Sequence, residues 1–572
     1  MRLLQRWLAS SRPFARRNNA RLKLENLEDR SLPSGNPIAA ASGLIAAKDN
    51  DSAPAYVATL DDVIYFTYQS DAYGRELWRS DGTAAGTQMV KDINPGKGSS
   101  DIHYLATLNH ELLFAANDGV HGSQLWESNG TNAGTQMVLD INGKKGADPD
   151  FFAKFNSTLF FTATTAANGT ELWKTDGTAA GTVMIMDINP GKASSSPQLL
   201  AVIGNEAYFT ANDGIHGREL WKSDGSTDGT VMVKNIAPDD EGANIHYFAT
   251  MNGVLYITAN DDVHGVELWR SDGNAAGTYM LKDINPGASN SNPYFLTISK
   301  GVMYFGANDT IHGFEMWRTD GTEKGTYLVK DIAPGDWDSD PAYLAKIGST
   351  IFFAAWDNNG RQLWKTDGTD VGTVMVKDIN PGEDANIHYV TTVGDTMYFT
   401  ADDDVHGLEL WKSNGTGRGT MMVKDINYGA SDAKFHYFTT IGGVLYFSAN
   451  DTIHGQELWR SNGTAAGTYM VLDLRPGDEG ANIHYLGKLG SELLFTANDG
   501  VHGQQLWSSD GTAAGTVMLT DLNPTKGGAK FDYLKFLDGE LYLSAYDGSD
   551  GWILLKTNGT VAGTVAVKDI NA

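Results

Sequence analysis

The sequence predicts an all-β protein, a β-propeller-like array of eleven four-stranded blades closed into one large ring. Three observations predict it: a tryptophan that returns at a fixed interval, a glycine-rich turn in step with it, and short apolar runs without helical periodicity. Two smaller propellers and an open superhelix are competing arrangements of the same units.

The tryptophans are Trp78, Trp126, Trp173, Trp221, Trp269, Trp317, Trp364, Trp411, Trp459 and Trp507, 47 or 48 residues apart, and Leu555 holds the eleventh position. No interval leaves room for a linker. Within one unit, His436–Ile441 and Val444–Ala449 read as strands joined by a tight Gly442-Gly443 turn, a hairpin. A loop, Asn450–Gly455, leads to a third strand around Trp459, and the turn Asn462–Thr468 leads to a fourth, Tyr469–Leu474. Four strands followed by a longer Pro/Gly-rich crossover, such as that from Ile93 to His103, describe a propeller blade whose first strand is innermost.

The chain divides into three parts. Residues 1–34 form a basic export or targeting segment, expected to be flexible or removed. Residues 35–54 form a lead-in strand, in which Leu44–Asp49 reads as the end of a fourth strand that helps close the ring. Residues 55–572 are the eleven repeats. The head carries eight Lys or Arg against three Asp or Glu, so the rest of the chain, with 35 basic and 67 acidic residues, carries −32 against a net charge of −27 for the whole. A surface that acidic excludes nucleic acid and anionic lipid as partners, since both need basic patches. No apolar run approaches the ~18 residues of a membrane span, so membrane insertion is not expected. The chain has no cysteine, which excludes disulfides and thiolate metal sites.

Two resemblances follow from particular residues. Arg21-Leu22-Lys23-Leu24-Glu25-Asn26-Leu27-Glu28-Asp29-Arg30, behind a basic stretch, resembles the N-terminal motif of planctomycete extracellular proteins. That resemblance implies export to the cell surface or medium. Glu457-Leu458-Trp459 with Asn462-Gly463-Thr464 and Gly467-Thr468 resembles the bacterial ELWxxDGT, or hyalin-like, repeat over residues 50–572. It implies a secreted propeller and brings no catalytic residues with it.

Each repeated position has a structural and a functional reading. The Trp stripe packs one blade on the next, or offers platforms for sugar rings. The Asp or Asn before Gly82 and its ten counterparts accepts hydrogen bonds from the turn's own amides. The loop between the second and third strands carries His121, His216, His264, His312, His406, His454 and His502, each behind an acidic stretch. It is either an Asx-type turn with its His packed on the next blade, or an ion site. In the second case Asp118, Asp213, Asp261, Asp309, Asp403, Asp451 and Asp499 are the candidate calcium ligands. The His position becomes Tyr73, Asn168, Asn359 and Asp550 in the other four copies, which argues against one ion per blade. A second set, His103, His246, His388, His436 and His484, opens the first strand: these are satisfied structural histidines or, with that strand innermost, they line the channel.

Catalysis in a repeat scaffold needs residues that the other copies lack. The departures Trp337, Trp356, Arg475, Trp552, Ile553 and Leu555 make no nucleophile–base pair. The repeated Glu of the motif becomes Gln at Gln124, Gln362 and Gln505, which excludes a general acid or base at those three positions and leaves the other copies eligible. The expected function is therefore a non-catalytic interaction, adhesion or envelope scaffold, with no catalytic residue and no cofactor beyond calcium. A calcium-stabilised, multivalent glycan-binding propeller is the alternative, and a polysaccharide hydrolase the third reading. The expected partner is a protein or an envelope polysaccharide, or a second copy of the chain.

Overall fold

The computed structural model describes residues 55–569 apart from Asp239, residues 524–527, Asp547, Ser549 and Asp550. The export segment, the lead-in strand and the Asp550 position lie outside the described residues.

The first blade contains β1 (Ala55–Leu60), β2 (Val63–Ser70), β3 (Gly74–Ser80) and β4 (Gln88–Lys91), antiparallel and hydrogen-bonded in chain order. Ten further sheets repeat that order, down to Lys530–Leu537, Glu540–Tyr546, Trp552–Thr557 and Val565–Asp569 in the last. The fold is an eleven-bladed β-propeller in a single ring. A short 3-10 turn, Gly143–Lys145, is the one helical element among the described residues.

The second strand of each blade is apolar on consecutive residues because it is covered on both faces. In blade 5, Leu255, Ile257 and Ala259 point towards blade 4, while Tyr256 points towards blade 6. The core is accordingly divided into eleven slabs, one between each pair of consecutive blades. The slab that closes the ring joins Ile64, Phe66, Tyr68 and Trp78 of blade 1 to Tyr542, Trp552, Leu554 and Val567 of blade 11.

Polar contacts at the closure repeat those of an ordinary interface. Lys91 Nζ donates to Thr135 O at 2.7 Å between blades 1 and 2, and Lys568 Nζ donates to Thr87 O at 2.8 Å between blades 11 and 1. Among the described residues no blade borrows a strand from another, so face packing and such side-chain contacts hold the closure.

First strands of neighbouring blades adjoin one another, β1 against the first strands of blades 2 and 11 among them, which makes the first strand innermost as expected. The hairpin turns between strands 1 and 2 and between strands 3 and 4 therefore share one face of the ring. The loops between strands 2 and 3 share the other face with the crossovers. Ser100 N donates to Arg75 O and Asn117 N to Ser100 O, so the crossover docks between the end of a second strand and the start of a third.

The turn between strands 3 and 4 is a polar cage present in every copy. In blade 1, Asp81 Oδ1 accepts from Thr83 N at 2.9 Å and Thr83 Oγ1 at 2.7 Å, while Ser80 Oγ and Thr87 Oγ1 lie 2.6 Å apart. Asn558 does the work of Asp81 in blade 11, as expected of a turn acceptor. Gly82 has φ +82°, and a Cβ there would lie 2.3 Å from the Tyr542 hydroxyl of blade 11. Both the backbone and the neighbouring blade require glycine.

Candidate functional site

The repeated residues with chemical potential sort by depth. Every motif Trp is buried, Trp78 and its counterparts lying in the inter-blade slabs. Lys234 Nζ sits 5.8 Å from the Trp269 ring centre across the blade 4–5 interface. The Trp stripe is core, and no sugar can stack on it.

The motif Glu is fully buried in all seven blades that carry it. Glu409 Oε2 accepts from Ile426 N at 2.8 Å and Oε1 from Asn427 N at 2.9 Å, tying the crossover to the third strand. Burial pushes Glu76, Glu409 and Glu457 up to about 8 and Glu219, Glu267 and Glu315 up to about 7, against the opposing pull of those N–H groups. Gln362 fills the same place: its Oε1 accepts from Ile379 N at 2.9 Å, and its Nε2 donates to the carbonyls of Asn380 and Glu383 at 2.9 and 3.0 Å. Glu and Gln share this site because either presents a side-chain oxygen that accepts from the crossover amides.

The loop between strands 2 and 3 is an Asx-type turn. Asp118 Oδ1 accepts from Val120 N at 2.9 Å and His121 N at 2.7 Å, and its Oδ2 lies 2.6 Å from His121 Nδ1. Asp213, Asp261, Asp309, Asp403, Asp451 and Asp499 hold the same contacts with His216, His264, His312, His406, His454 and His502. Each His is paired with its own Asp through Nδ1. Burial raises the Asp403 carboxyl, but bonds from His406 and the loop amides outweigh it and hold the group below the usual carboxylate range. The Asp118 bond in turn raises the His121 ring. The seven candidate ligands each brace their own loop, and among the described residues no three metal-capable side chains stand together.

What these turns present is apolar. The residue before each of the seven His is Val120, Ile215, Val263, Ile311, Val405, Ile453 or Val501, 56–71% exposed. Sequence reading missed them, although a β-branched residue at one loop position in seven copies was the available signal.

Sequence reading also missed an aromatic column on the innermost strand. Phe151, Tyr247, Tyr389 and Tyr437 occupy one repeat position and are largely exposed. Phe151, Tyr389 and Tyr437 adopt φ of 54°, 46° and 57°, left-handed conformations uncommon for bulky residues. Tyr437 Oη lies 2.9 Å from His484 Nδ1 of the next blade, so His436 and His484 line the wall within a blade-to-blade polar ladder.

These features define the class: a ring-shaped β-propeller whose motif residues are scaffold and whose loop tips and inner wall are its exposed chemistry. No protein-family model and no curated protein matches the sequence. Solved structures that match include puromycin hydrolase, at 14% identity and TM-score 0.26, over 66% of this chain and 61% of that one. Oligopeptidase B from Leishmania major matches at 9% identity and TM-score 0.29, over 62% of this chain and 53% of that one. The chain spans a little over half the length of these two proteins, and at such TM-scores the likeness carries no argument about activity.

Proposed function

We propose that this protein is a non-catalytic binding scaffold of the cell surface or the extracellular medium, displaying near-identical loops around a ring. One observation carries the reading: the repeated residues able to do acid–base or metal chemistry are spent on holding the fold. The buried Glu fastens the crossover, and the Asp–His pair braces the loop. The export motif and the resemblance to ELWxxDGT proteins support the location. Among the described residues no helix is long and apolar enough to cross a membrane. Incubation with plant and bacterial polysaccharides and a peptide panel is expected to give no turnover. Turnover abolished by replacing one carboxylate would overturn the reading.

The inner-wall aromatics favour a second reading, a glycan-binding ring, with stacking assigned to Tyr247, Tyr389 and Tyr437 rather than to the Trp stripe. Replacing Tyr247 by Ser should then weaken binding on a glycan array without altering the melting temperature, whereas Tyr389→Ser and Tyr437→Ser should weaken binding and also remove the contacts to His436 and His484.

Calcium belongs to this second reading, and melting with EDTA and with millimolar calcium tests it. Both oxygens of each loop carboxylate are already engaged, so the expected result is no shift in melting temperature. A rise with calcium would instead mean ion binding to the folded loops, by mass action.

A further inference from the structure

Large exposed apolar side chains are distributed unevenly between the two faces of the ring. The hairpin-turn face has two among the described residues, Val371 and Val561, on its turns. The opposite face carries the seven Val or Ile loop tips, and to these it adds Trp337, 64% exposed, and Tyr428, 93% exposed, both on crossovers. Packing gives none of them a role, and scattered single exposures would not all select one face.

Charge identifies the occupant. From blade 5 onwards to the blade 9 crossover, carboxylates stand beside the apolar tips: Asp262 precedes Val263, Asp404 precedes Val405, and Trp337 lies between Asp336 and Asp338. These acids are exposed, whereas of the cations of the same arc Arg361 is half-buried, Lys330 pairs with Asp370, Arg475 pairs with Glu479, and Lys434 is exposed. An apolar contact next to a carboxylate suits the aliphatic stem and charged head of Lys or Arg. Two such arcs facing each other would repel, and anionic lipid is repelled likewise.

We propose that the loop-and-crossover face docks a cationic polypeptide that intersperses apolar side chains among its Lys and Arg. The proposal rests on the scaffold reading above and names the partner's chemistry. Loop tips braced by Asp–His pairs lose little freedom on binding, and repetition around the ring lets a long partner engage several blades at once.

The test uses the full chain and three labelled synthetic amphipathic peptides of equal length, built from Leu and Lys, from Ser and Lys, and from Leu and Glu. Fluorescence anisotropy should show binding of the Leu/Lys peptide alone, weakening as salt rises. The triple variant Ile311→Ser, Val405→Ser, Ile453→Ser should weaken it at least about ten-fold. The double variant Val371→Ser, Val561→Ser on the opposite face should leave it unchanged. Equal binding of the Ser/Lys peptide, or full binding by the triple variant, would overturn the proposal. So would a ring that sediments as a dimer and that the triple variant returns to a monomer, since the face would then belong to a second copy. Absence of peptide binding without turnover sinks this proposal alone, whereas turnover sinks the scaffold reading.

Discussion

Raising the pH from about 5 to about 9 should lower the melting temperature, and replacing Glu76, Glu409 and Glu457 together by Gln should remove a large part of that loss. Each of these carboxyls is fully buried, and burial lifts it to about 8 from an ordinary 4.5. The folded state therefore holds a proton that the unfolded chain releases. Stability from that proton is fully present below pH 4.5 and is lost as the pH rises towards 8, where the buried group must ionise or the crossover must open. On the order of 2 kcal/mol per carboxyl is at stake across the window. Gln124, Gln362 and Gln505 occupy the same site with a permanently neutral amide, so the substituted blades keep their geometry. Melting curves at several pH values compare the variant with the wild type. Equal pH slopes for the two would show that the carboxyls are not held neutral.

Trp269→Ala should destabilise the ring by about 3–5 kcal/mol, whereas Trp337→Ala should change stability by less than about 0.5 kcal/mol. Trp269 is 5% exposed in the slab between blades 4 and 5, among Tyr208, Leu220, Val233 and Ile257. Its removal leaves a cavity there and strips the Lys234 ammonium of its aromatic partner. Each blade packs only on its neighbours, so the loss should be local, and hydrogen exchange should quicken first in blades 4 and 5. Trp337 stands on a crossover with most of its ring in solvent, and nothing in the fold depends on it. A large loss of stability from Trp337→Ala would mean that the face it stands on is already packed in solution.

The candidate site was less legible than the fold. The Asp118–His121 spacing marked a polar loop, but the partner of each His is set by the turn that brings Nδ1 to Asp118 Oδ2. The aromatic column was hidden because a Tyr in an apolar run does not reveal which side of the innermost strand it faces. Val120 and its counterparts read as ordinary apolar residues of a loop.

The sequence by itself determined the repeat, the four strands per unit and the turn cage, because those depend on contacts within one unit that recurs eleven times. It also marked Gly82 and the Asp or Asn before it as obligatory, since backbone conformation and local hydrogen bonds are written in neighbouring residues. Only the tertiary structure decided that one ring closes, because closure depends on the small rotation between successive blades. That rotation is set by how side chains such as Trp552 and Tyr542 fill the slab against Trp78. It also decided that the motif Glu is buried and fastens the crossover, and that the apolar loop tips all emerge on one face. Burial and facing belong to the assembled ring and to no single unit.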